Sequence, residues 1–225
     1  MMGSDIDSIS LARRALLRNC SLALLWPAAA LATTATTPGA GRTLLVVGDS
    51  LSAEYGLPRG TGWVALLENR LALEKLTLKV VNASISGDTT SGGRSRLPAL
   101  LKQHQPRWVL IELGGNDALR GLPLKMTQDN LSEMVRLAQA TGAQVVVLGM
   151  AMPPNYGRQY SEDFVKLFAT VASSRRAALV PFLLKGVADG PEAESLFQAD
   201  SIHPTAAAQA RMLDNVWPVL KPLLR

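Results

Sequence analysis

Histidine is the residue most often recruited as a general base, and this chain has only two. His104 lies in Lys102-Gln103-His104-Gln105-Pro106, between a helix-like stretch and an apolar run, which places it at a helix end on the N-terminal edge of a sheet. His203 lies in Asp200-Ser201-Ile202-His203-Pro204. Proline suits the first position of a helix, so Pro204 predicts a helix starting immediately after His203 and leaves the residues before it as a turn. An Asp three residues before a His in one turn can orient the imidazole. Such a base needs a hydroxyl to activate. The first apolar run ends in Gly48-Asp49-Ser50-Leu51-Ser52, where Ser50 is the candidate nucleophile and Ser52 its nearest competitor.

Nucleophilic attack on an acyl carbon also needs donors for the developing oxyanion, each worth about 3–4 kcal/mol where it has been removed. Two further segments can supply them. Asn82-Ala83-Ser84-Ile85-Ser86-Gly87-Asp88-Thr89 contains Gly87, which lets a backbone N–H approach a substrate closely. Gly114-Gly115-Asn116-Asp117 offers the side-chain amide of Asn116. Each segment alone reads as an ordinary turn. Their weight comes from position.

The elements that must position these residues are legible as apolar runs. Thr43–Val47, Leu78–Val81, Trp108–Leu113, Gln144–Leu148 and Ala178–Leu183 are near-continuous, the pattern of strands buried on both faces in a parallel sheet. Helix-like stretches near 61–72, 92–103, 127–140, 161–174 and 205–216 alternate with them. The expectation is one three-layer α/β/α domain with a central five-stranded parallel sheet. Such sheets carry their chemistry in loops beyond the C-terminal strand ends. Ser50, Gly87, Asn116 and His203 all fall in loops of that kind.

Four blocks, in order, resemble the SGNH (GDSL) hydrolase family: Gly48-Asp49-Ser50-Leu51-Ser52, Ser86-Gly87-Asp88, Gly114-Gly115-Asn116-Asp117 and Asp200-Ser201-Ile202-His203-Pro204. The resemblance is nearest to the branch of periplasmic acyl-CoA thioesterases, lysophospholipases and arylesterases. It implies a flavodoxin-like fold, a Ser50–His203–Asp200 triad, and an oxyanion hole from the N–H groups of Ser50 and Gly87 with the Asn116 side chain. It further implies an acyl site lined near Met152, Pro153 and Tyr156, with no metal and no cofactor. Glu54, Ala118 and Ser201 stand where the family often has glycine, which bears on loop flexibility and substrate preference.

The N-terminus reads as a separate signal. Arg13, Arg14 and Arg18 precede the uncharged run Cys20–Ala32, which ends in Ala30-Leu31-Ala32. That run is shorter than the roughly 20 apolar residues a membrane-spanning helix needs, and its end has the small-residue pattern of a cleavage site. Residues 1–32 are therefore expected to be a signal peptide, 33–41 a flexible lead-in, and 42–225 the folded domain. The paired arginines also admit twin-arginine export. Cleavage would remove Cys20, the chain's single cysteine, and lower the +5 net charge by one. So mild a charge, with 5% aromatic residues, excludes a polyanion-binding or base-stacking protein. A periplasmic or secreted monomer acting on a small acyl ester or thioester is the expectation.

The alternatives are an O-acetyl esterase of carbohydrates on the same fold, or a lipid or glycan binder without catalysis. An α/β-hydrolase is disfavoured because no G-x-S-x-G elbow occurs. A nucleotide site at Gly87–Gly93 is disfavoured because it lacks the phosphate-binding lysine.

Overall fold

The computed structural model describes residues 42–152 and 154–224. The expected signal peptide and lead-in lie outside the described residues, as does Pro153.

Five strands form one sheet in the order β2-β1-β3-β4-β5, with every pairing parallel. They are β1 (Thr43–Gly48), β2 (Lys79–Asn82), β3 (Trp108–Glu112), β4 (Gln144–Leu148) and β5 (Ala178–Val180). β1 and β3 are buried at every residue, as their unbroken apolar sequences require, whereas β2 is a half-exposed edge. The expected fifth run was longer; the chain leaves the sheet at Pro181, which has no N–H for a ladder bond.

Helices α1 (Trp63–Leu73), α2 (Thr90–His104), α3 (Gly115–Leu119), α4 (Leu124–Ala140), α5 (Arg158–Arg175), α6 (Ala193–Leu196) and α7 (Gln209–Leu220) follow in chain order. α1 packs on α7, while α2, α4 and α5 pack in series, so helices cover the sheet in two layers. On α4 the buried residues Thr127, Asn130, Leu131, Met134, Val135 and Ala138 recur at helical spacing. α2 approaches the sheet closely because Gly93 has no side chain; a Cβ there would meet Leu113 Cδ1 at 2.2 Å. The short helix α3 was not expected from the sequence, where Gly114-Gly115 reads as a turn.

The chain runs outward from β1 to the edge strand β2, then returns across β1 to β3. In open α/β sheets ligands bind where the strand order reverses, at the C-terminal ends. Here that point lies between β1 and β3, the strands that precede Ser50 and Asn116. Among the described residues, no helix is long and apolar enough to cross a membrane.

Candidate active site

Ser50 occupies the turn that leaves β1. Asp49 shapes this turn: its Oδ1 accepts the Leu51 N–H at 3.0 Å and its carbonyl accepts the Ala53 N–H at 2.9 Å. The Asp200 turn is built the same way. Its Oδ1 accepts the N–H groups of Ile202 (2.9 Å) and His203 (3.0 Å), with Ser201 in the left-handed region at φ 56°. This leaves Oδ2 of Asp200 2.6 Å from His203 Nδ1. The other ring nitrogen, Nε2, lies 2.9 Å from Ser50 Oγ. The three residues expected to act together are thus in one hydrogen-bonded line.

The helix expected immediately after His203 is displaced. Pro204 pairs with Phe197 in an isolated antiparallel bridge, and the Thr205 N–H donates to the Leu196 carbonyl at 2.8 Å. The helix begins only with a 3-10 turn at Ala206–Ala208, before α7. The His203 carbonyl accepts the Gln198 N–H at 2.8 Å, so the segment is held by a neighbouring strand-like stretch rather than by a helix end. Tyr55 packs against the imidazole, with ring centroids 4.3 Å apart and planes tilted by 38°. Sequence reasoning missed Tyr55 because an exposed aromatic in a loop has no local signature.

The backbone N–H of His203, followed by its ring, holds the Asp200 carboxyl down at about 2. Asp200 therefore stays ionised as pH falls, until pH approaches that value.

Ser52, the competing hydroxyl, is buried and committed elsewhere: it donates to Glu112 Oε2 at 2.8 Å and accepts from Trp63 Nε1 at 3.2 Å. His104 is the last residue of α2, ahead of β3, and belongs to the opposite edge of the sheet.

Gly87 adopts φ 78°, a conformation that favours glycine. Among the described residues, neither its N–H nor that of Ser50 has an acceptor. Asn116, at the start of α3, donates one amide N–H to Asp49 Oδ2 at 2.9 Å and keeps the second free of that bond. Two arginines missed in the sequence tie the loops together. Arg120 donates to the Gly87 carbonyl at 2.8 Å. Arg96 bonds Asp88 at 2.8 Å, the Gly48 carbonyl at 3.3 Å and the Ala83 carbonyl, linking the end of β1 to the Gly87 loop.

Beneath the nucleophile turn lie two buried carboxyls, Asp49 and Glu112, at 3% and 0% exposure. Burial pushes Asp49 up to about 6, against the hydrogen bonds from Leu51 and Asn116. Burial and the neighbouring Asp49 push Glu112 well above the usual carboxylate range. A carboxyl whose folded value exceeds its unfolded value stabilises the fold only while protonated; that contribution is lost as pH rises from the ordinary 3.8 through about 6. Asp49→Asn is therefore expected to raise Tm at pH 8, by at most about 3 kcal/mol of stability, and not at pH 4. Thermal melts across that range check it; an equal change at both pH values contradicts it.

A cavity of about 480 Å³ opens beside Ser50 and His203. Leu119, Met150, Met152, Phe182, Leu184 and Phe197 make its wall mostly apolar. Met152 was expected there; Tyr156 was too, but it stands exposed and does not line the cavity. The aliphatic and aromatic wall from 184–197 went unread, because that segment has neither helical nor strand periodicity.

Residues 46–211 match the GDSL-like Lipase/Acylhydrolase family. The chain is 54% identical over 189 residues to Esterase TesA of Pseudomonas aeruginosa, covering 84% of this chain and 92% of that protein. It is 43% identical over 185 residues to Thioesterase 1/protease 1/lysophospholipase L1 of Escherichia coli K12, covering 82% and 86%. The crystal structure of the psychrotrophic esterase EstA from Pseudoalteromonas sp., inhibited by monoethylphosphonate, superimposes with a TM-score of 0.76 at 41% identity, covering 81% of this chain and 98% of that one. With four motif blocks gathered at one sheet edge and a match across most of its length, this chain belongs to the GDSL-like lipase/acylhydrolase family.

Proposed function

We propose that this protein is an exported serine hydrolase that cleaves acyl esters and thioesters through an acyl-enzyme on Ser50. The observation that carries this reading is the hydrogen-bonded line Asp200–His203–Ser50, at 2.6 and 2.9 Å. With its proton on Nδ1, the imidazole donates to Asp200 and leaves Nε2 to take the Ser50 proton. Ser50 Oγ then bonds the acyl carbon, and the carbonyl oxygen becomes an anion facing the N–H groups of Ser50 and Gly87 and the free N–H of Asn116. His203 returns the proton to the departing alcohol or thiol. Water, deprotonated by the same imidazole, then releases the acid and regenerates Ser50.

The apolar cavity supports an acyl chain longer than acetyl, and the names of the relatives, esterase and thioesterase among them, support both leaving-group types. Residues 1–32 are proposed as the export signal, with 42–225 as the hydrolase domain. For p-nitrophenyl esters of increasing acyl length, kcat/KM is expected to rise about two- to fourfold per added methylene until the cavity is filled, then level off. A steady fall from acetyl onward would overturn the acyl-chain reading and favour the O-acetyl alternative.

A further inference from the structure

Glu112 closes β3 directly beneath the Ser50 turn, and the hydrolytic steps above make no use of it. Its Oε2 accepts the Ser52 hydroxyl at 2.8 Å and the Asp49 N–H at 3.2 Å, while Oε1 accepts no hydrogen bond from the described residues. The chain makes room for it: a Cβ on Gly48 would lie 2.7 Å from Glu112 Oε2. Among the described residues, no cation is a hydrogen-bond partner of Glu112. The nearby groups able to carry positive charge are the His203 imidazole, on the far side of Asp49, and Arg96 of α2, already committed to Asp88 and to the Ala83 and Gly48 carbonyls.

Two adjoining carboxyls in so dry a setting, without a cation between them, do not both ionise, and they titrate as a pair. The retained proton belongs on Glu112. Asp49 accepts hydrogen bonds from the Leu51 N–H and from Asn116, both of which favour its ionised form. Glu112 is wholly buried, its Oε1 is free to carry the proton, and the hydrogen bond between the two side chains then runs from Glu112 to the Asp49 carboxylate, which favours the charge on Asp49.

We propose that Glu112 is a positioning residue for the oxyanion hole: as the neutral, proton-holding member of a Glu112–Asp49 pair, it keeps Asp49 an ionised acceptor and so fixes the Asn116 amide. The inference rests on Asn116 being an oxyanion donor, as read above. An ionised Asp49 can only accept, so the Asn116 NH2 must face it, leaving the second N–H directed at the substrate. A protonated Asp49 can donate instead to the amide oxygen. The amide then turns over, and its carbonyl replaces the donor in the hole.

The test compares Glu112→Met, which keeps volume but removes the acid, with Glu112→Gln, which keeps a neutral donor. Both are also made in an Asn116→Ala background, with turnover of a p-nitrophenyl ester as readout. Asn116→Ala alone is expected to lower kcat about 100-fold. Glu112→Met is expected to lower kcat about tenfold with KM unchanged, and Glu112→Gln to stay within about threefold of the parent. In the Asn116→Ala background the Glu112→Met effect should vanish, because residues acting through one group are not additive. If Asn116→Ala leaves kcat intact, the oxyanion reading fails and takes this inference with it. If Asn116→Ala is impaired but Glu112→Met multiplies its loss, the oxyanion reading stands and the positioning role is overturned. Should Glu112→Met not fold, infrared spectroscopy decides. A protonated-carboxyl band at about pH 8 that Glu112→Gln removes supports the pair, and its absence from the parent protein overturns it.

Discussion

Ser50→Ala is expected to lower kcat by about 10⁵-fold while leaving KM for a short ester nearly unchanged. The loss is large because no other hydroxyl can take the place of Ser50. Ser52, two residues on, is buried and bonded to Glu112 and Trp63, so it cannot reach the imidazole without breaking that network. Binding should persist, since the apolar wall of the cavity is untouched. Folding should persist as well, because the hydroxyl's one side-chain bond is to His203. A phosphonate ester should add covalent mass to the parent and none to the variant. Residual turnover within tenfold of the parent, or an adduct on Ser52, would remove Ser50 from the mechanism; a parent protein with neither turnover nor adduct would be a non-catalytic binder.

Asp200→Asn is expected to cost about 10³- to 10⁴-fold in kcat, and to be no better than Asp200→Ala. The reason lies in the turn. Asp200 Oδ1 accepts two backbone N–H groups, from Ile202 and His203. An asparagine has one oxygen, and those two donors claim it, so its NH2 would face His203 Nδ1 where a carboxylate oxygen now sits at 2.6 Å. The ring must then accept at Nδ1 and carry its proton on Nε2, pointed at Ser50, which is the wrong tautomer for a base. Alanine instead admits water: the Asp200 side chain is 37% exposed, and a water can take the Nδ1 proton as an acceptor. Nitrogen-15 NMR of the ring should report the switched tautomer in the Asn variant. An Asn variant more active than the Ala variant would contradict the argument.

Several features of this site were visible because they are local. The Asp200 turn is made by a side chain bonding N–H groups two and three residues ahead, so its presence follows from Asp-x-x-His alone. The strands were visible because burial on both faces demands unbroken apolar runs, and β1 and β3 show them. The helix start was misread for the complementary reason. Pro204 has a helix-initiating preference, but the backbone at 203–205 is claimed by pairing with 196–198. A preference of that size yields when a distant segment offers hydrogen bonds. Glu112 carried a weak signal, an acidic residue inside the otherwise apolar run Trp108–Leu113, which by its type alone names no partner. Its inward orientation depends on Ser52 and Asp49, 60 and 63 positions away.

The amino-acid sequence by itself determined the class of fold, the order of its strands and main helices, the candidates for the reacting groups and the family, because periodicity, turn chemistry and motif spacing are all written within a few residues. Only the tertiary structure decided which hydroxyl meets the imidazole, what surrounds the acyl cavity, and that Asp49 and Glu112 share a dry site. Those are contacts between residues far apart in the chain, and their distances and dielectric exist only once the sheet has closed and its helices have excluded water.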